Sequence, residues 1–150
     1  MTPPTGPSGT TGPPDRQTLR LLEKHLRDDP LVAATSFEPS THELRSLRAE
    51  LDADRYPVSV VDTHLDVRWF VSGDFSFHYN ETHDSGRWEC RWDRHPNEHN
   101  ARLHFHRPPD GNAVETLSLE DTHPLDLYSI VLGAVEERID HLWEDSTESD

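Results

Sequence analysis

Lysine is nearly absent from this chain. Of its 14 basic residues only Lys24 is a lysine, against 29 acids, and the net charge is −15. With so little positive charge, attraction to a polyanion has to come from a concentrated local site rather than from the surface at large. Cysteine is equally scarce: Cys90 stands alone, which excludes an internal disulfide. No run approaches the ~18 apolar residues of a membrane span, and the N-terminus carries no signal-peptide pattern. No membrane association is expected, and the expected location is the cytoplasm. Apolar residues are few as well, at 32%, a level at which a highly charged chain verges on disorder. Their clustering into periodic runs, with the polar excess at the ends, argues for a folded centre.

An acid-rich, lysine-poor chain of this kind fits a halophilic cytosolic protein. Self-repulsion is tolerable where the Debye length is about 3 Å or less, as it is above roughly 1 M salt.

Residues 1–14, MTPPTGPSGTTGPP, read as a disordered tail, and the acidic residues 144–150 as another, which leaves 15–143 as a single α+β domain. Asp15 can cap a helix from Arg16 that places Leu19, Leu22 and Leu26 on one face and stops before Pro30. LVAATSF reads as a short buried strand. SLRAELD alternates as a strand, with a helical turn as the competing pattern, and RYPVSVV is a further extended piece broken by Pro57. Four alternating runs follow: Leu65, Val67 and Trp69; Phe75, Phe77 and Tyr79; Trp88, Cys90 and Trp92; Leu103 and Phe105. Turn residues join them into an antiparallel β-sheet meander with one buried face. Leu125, Tyr128, Leu132, Val135, Ile139 and Leu142 step by three and four along a C-terminal amphipathic helix over 124–143, which packs on the aromatic face. Leu127, Ile130 and Val131 exceed that stripe. They predict either a partner on residues 124–143, a homodimer or a second protein, or burial under the first helix.

Strand alternation sends the remaining side chains to the opposite face. There, residues 66–107 hold seven acids and six arginines, net −1, while the rest of the chain carries a net −14. The same segment holds six of the eleven histidines. Such a cation-rich island on an acidic protein is a candidate anion site. In its core, RWDRHPNEHNARLHFHRPP, His104 and His106 point the same way, and His95 and His99 lie in the preceding loop. One chemistry uses His78, Arg91, Asp93, His104 and His106 as an acid–base set around a phosphodiester, with Arg68, Arg102, His95 and His99 binding substrate and no cofactor. The alternative is a divalent metal such as zinc on Asp93, His99, His104 and His106, disfavoured by the arginines beside it. A third reading is a structural lattice of cross-strand ion pairs.

At WECRWDRHPNEHNARLHFHRPPDG the chain resembles the TumE-type toxin components of type II toxin–antitoxin systems and related haloarchaeal proteins. The shared features are Trp92-Asp93 ending a strand, His95 and His99 in a loop, His104 and His106 on the next strand, and a closing helix. The group usually has Asn after the Asp, where this chain has Arg94. The resemblance implies an antiparallel sheet, an antitoxin partner and a toxin-like role, read here as a metal-independent ribonuclease acting on RNA. A non-catalytic module that binds an anion or a protein stays open beside it.

Overall fold

The computed structural model of the protein describes residues 12–94, 103–117 and 123–148. Helix α1, Arg16–Arg27, begins where expected. Asp15 accepts from the Thr18 amide at 3.1 Å and the Thr18 hydroxyl at 2.9 Å, so the cap uses both carboxylate oxygens. Lys24, His25 and Arg27 occupy the last turn, where positive charge suits the helix dipole.

Among the described residues seven strands follow: β1 (Val32–Pro39), β2 (Leu44–Leu51), β3 (Val60–Trp69), β4 (Phe75–His83), β5 (Gly86–Arg94), β6 (Leu103–His106) and β7 (Val114–Leu117). They pair in chain order, each antiparallel to the next. The β3–β4 turn needs Gly73, whose φ of 95° lies in the left-handed region that glycine reaches without strain. Helix α2, Pro124–Glu148, closes the chain.

This is the expected α+β meander with a C-terminal helix, with four local differences. The first strand is not buried: β1 lies at the edge of the sheet, and Ala33, Ala34, Ser36, Glu38 and Pro39 are exposed, because it has a neighbour on one side only. Of the extended piece RYPVSVV only Val60 and Val61 are strand, the start of β3; Ala53–Arg55 is a short 3-10 helix and residues 58–59 form a turn. Pro13 and Pro14, placed in the tail by composition, dock on the end of β3 through Val71 N–H to Pro13 and a bridge to Phe70. Helix α2 continues beyond residue 143 to Glu148.

Both helices cover one face of the sheet. Across that face Val67, Phe77, Trp92 and Phe105 stand in register on β3 to β6. Trp69 and Phe75 stack beside them with ring centroids 4.6 Å apart. Leu19, Leu22 and Leu26 of α1 and Leu127, Val131, Leu132, Val135 and Ile139 of α2 complete the core.

The apolar excess on α2 is therefore used within the chain. Leu127 and Val131 are both 0% exposed, and of the three residues that suggested an external partner only Ile130, at 37%, reaches solvent. The reason is that α2 packs beside α1 as well as on the sheet: the Tyr128 hydroxyl donates to Asp29 Oδ2 at 2.6 Å and to the His25 carbonyl at 3.2 Å. A helix held on two sides needs two apolar faces.

Candidate functional site

The uncovered face of the sheet carries the expected polar side chains in ordered rows. One row runs Arg48, Asp66, His78, Arg91, His106 across β2 to β6. The next runs Arg68, Ser76, Asp93, His104, Thr116 across β3 to β7.

Asp93 is the centre of this face. It is 1% exposed although no helix of the described residues covers it. Arg91 Nε donates to its Oδ2 at 2.8 Å, and His106 Nε2 lies 3.0 Å from the same oxygen. Its other oxygen lies 3.9 Å from His104 Nδ1, within ion-pair reach but beyond a hydrogen bond. A carboxylate this buried is costly to leave without such partners. The consequence for His104 is orientation: with Nδ1 toward Asp93, its Nε2 is the nitrogen left to meet a ligand. An imidazole so placed beside a carboxylate is suited to accept and return a proton.

The other predicted residues divide. Arg91 is spent on Asp93, and its Nη2 also lies 3.3 Å and 3.4 Å from the two ring nitrogens of His106. It positions the carboxylate and the ring together. His78 shares the row of Arg91 and His106, yet its Nε2 is held 2.8 Å from Glu89 Oε1, so the structure does not join it to the Asp93 cluster. Arg68 is exposed and has no ion pair among the described residues. His95, His99 and Arg102 lie outside the described residues. The metal alternative depends on His99, and among the described residues no group of three or more His, Cys, Asp or Glu side chains is arranged to hold a metal ion.

A second polar cluster lies on the covered face, where no functional residue was expected. Glu81, 1% exposed, takes two hydrogen bonds from Arg138 on α2, Nε to Oε2 at 3.0 Å and Nη2 to Oε1 at 2.9 Å. The Tyr79 hydroxyl donates to Oε2 and His83 Nε2 sits against Oε1, both at 2.7 Å. Tyr56 meets Tyr79 hydroxyl to hydroxyl at 2.7 Å. Arg138 also lies over the Trp88 ring, 3.7 Å from its centroid. Burial pushes the Glu81 carboxyl up, but the bonds from Arg138, His83 and Tyr79 outweigh it and hold it below the ordinary carboxylate range. Burial pushes the Tyr56 phenol up to about 12, so it stays neutral. The signal for this cluster was in the alternation itself: Phe75, Phe77 and Tyr79 put Glu81 on the core face at the next step.

Beside this cluster, between α2 and strands β4 to β6, is a cavity of about 220 Å³ with Trp88, Cys90, Trp92, Phe105, Arg138 and His141 in its wall. None of the site residues predicted from sequence lines it. Burial raises the Cys90 thiol to about 12, so it is a packing residue and not a nucleophile.

Fold and site together define a two-layer α+β protein whose sheet carries a carboxylate-anchored histidine pair on its open side. The chain belongs to the toxin TumE family, whose model matches residues 20–139. That span takes in the whole sheet and part of each helix, and it makes the chain a toxin-like protein of a toxin–antitoxin system, with an antitoxin partner implied in general terms. No curated protein and no solved structure matches it. No helix of the described residues is long and apolar enough to cross a membrane.

Proposed function

We propose that the protein is a metal-independent ribonuclease toxin in which His104 is the acid–base group. The observation that carries this is the pairing of a buried, doubly anchored Asp93 with a half-exposed His104 one strand away. His104 Nε2 takes the proton of a ribose 2′-hydroxyl as that oxygen attacks the adjacent phosphorus. The bond from phosphorus to the 5′-oxygen breaks, a 2′,3′-cyclic phosphate forms, and the leaving oxygen receives a proton from an imidazolium of the pair. Asp93 faces His104 Nδ1 across the β5–β6 pair and leaves Nε2 toward the substrate. Arg68, in the row of Asp93 and His104 but three strands from His104, about 14 Å by strand spacing, and without an ion pair among the described residues, would bind a flanking phosphate of the same RNA.

His104→Ala should leave the fold intact, because the side chain is not in the core. It should lower RNA cleavage on the order of 10²–10⁴-fold and relieve growth inhibition on induced expression. Asp93→Asn should act in the same direction. A His104→Ala protein that cleaves and inhibits like wild type would sink the reading.

The non-catalytic alternative is favoured by one observation: most cations of this face already have anions. His78 holds Glu89, Arg91 holds Asp93, and Arg48 holds Glu50 and Asp66 at 2.8 and 3.7 Å. Absence of cleavage by the wild type, with His104→Ala losing a little melting temperature and nothing else, would favour it.

A further inference from the structure

On a protein of net charge −15, cations without partners are scarce, and their location is informative. Across the open sheet face the arginines are largely neutralised by neighbours, as described above. Helix α1 is different. It carries Arg16, Arg20, Lys24 and Arg27 against a single acid, Glu23. Glu23 pairs with Arg27 at 3.2 Å, which leaves Arg16, Arg20 and Lys24 exposed and with no ion pair among the described residues. At 100° per residue all four bases fall within about 80° of arc, and Arg16 to Lys24 covers about 12 Å of helix. The core side is taken by Leu19, Leu22 and Leu26, so the basic stripe faces away from the fold. Beside it stands Leu21, an apolar side chain 36% exposed.

We infer that this face of α1 is the docking surface for an acidic segment of a partner protein. Charge complementarity names the partner's chemistry: carboxylates repeated at the spacing of one helical turn, met by three free cations at the same spacing. An apolar residue bordered by charged ones is the anatomy of a protein interface, and a phosphate backbone has no use for Leu21. The place on the fold agrees. α1 packs on the covered side of the sheet, and Asp93 and His104 lie on the open side, so a polyanion bound along α1 is not thereby presented to them. The inference does not depend on RNA cleavage, and either can fail alone.

The test uses the full-length chain, labelled poly-L-glutamate as the acidic probe and a labelled single-stranded RNA as the competing polyanion, both at low ionic strength. Arg16→Glu/Arg20→Glu/Lys24→Glu should weaken poly-L-glutamate binding on the order of 100-fold. Arg55→Glu/Arg107→Glu, which reverses two exposed cations elsewhere, should change it little. The three positions do not touch the core. If the charge-reversed chain fails to show the wild-type circular dichroism, Arg16→Gln/Arg20→Gln/Lys24→Gln should give the same ordering with a smaller loss. Equal losses in the α1 variant and the control would mean net charge alone and overturn the inference. So would wild-type protein that ignores poly-L-glutamate, whether it binds RNA through these residues or binds neither probe.

Discussion

Glu81 has no exposed side-chain surface, and its carboxylate sits among Arg138, His83 and Tyr79. Held below the ordinary carboxylate range, it binds a proton more weakly in the folded chain than in the unfolded one. Its contribution is therefore complete above the unfolded carboxyl value and is lost as pH falls through the lower folded value. Breaking a buried pair by removing one partner strands the other charge, and Arg138 is itself mostly covered, at 18% side-chain exposure. Glu81→Gln should cost about 3 kcal/mol at neutral pH in urea denaturation. The wild type should lose stability toward about pH 4 and below, and the variant should lose less over that window, because the titrating group is gone. A variant with the wild-type urea midpoint at both pH values would show that the pair does not hold α2 to the sheet. Asp93 is the corresponding buried carboxylate of the open face, met by Arg91 and His106.

The elements show how little local pattern separates a strand that counts from one that is missed. α1 is written in its sequence: an Asp cap, three leucines on one face, bases in the last turn, a proline beyond. Asp15→Ala removes both bonds to Thr18 and should lower stability by about 1 kcal/mol in thermal melts. An unchanged melting temperature would mean the bridge from Asp15 N–H to the Trp69 carbonyl at 2.8 Å is sufficient to start the helix. β7, by contrast, has no alternation of its own to mark it. Val114-Glu-Thr-Leu is four residues long, and apart from partly buried Leu117 all are exposed; its strand character comes from the neighbour β6 supplies. On α2 the pattern was clear and its meaning was not. The residues beyond the main stripe fit either an external interface or burial under α1, and the fold takes the second for Leu127 and Val131, because α1 lies alongside.

At the scale of the molecule the excess of negative charge is the dominant fact. Repulsion among surface acids weakens as the Debye length falls from about 10 Å at 0.1 M to about 3 Å at 1 M. The melting temperature should therefore rise as potassium chloride is raised over that range. A flat or falling trend would remove the reading of the composition as a halophilic surface. The same field explains why the sheet's open face matters. There arginine and histidine are interleaved with acids at cross-strand distance, so the local charge is near balance, and an anion meets little of the repulsion it meets elsewhere.

Composition and alternation by themselves determined the class of fold, the capped first helix, the aromatic face and the membership of the polar face. Each follows from a period of 2 or 3.6 acting on a chain that must bury its apolar side. Alternation also placed Glu81 inward, but a period cannot say what meets a side chain from another element. That Arg138, 57 residues later, pairs with it was decided only when α2 lay across β4. Likewise the sequence put Arg91, Asp93, His104 and His106 on one face, and only the register of β5 with β6 set Asp93 opposite His104 and gave its carboxylate to Arg91 and His106. Pairing across strands is a long-range choice, fixed by packing of the whole sheet, and it is what separates a buried carboxylate that orients a histidine from one more acid on an acidic surface.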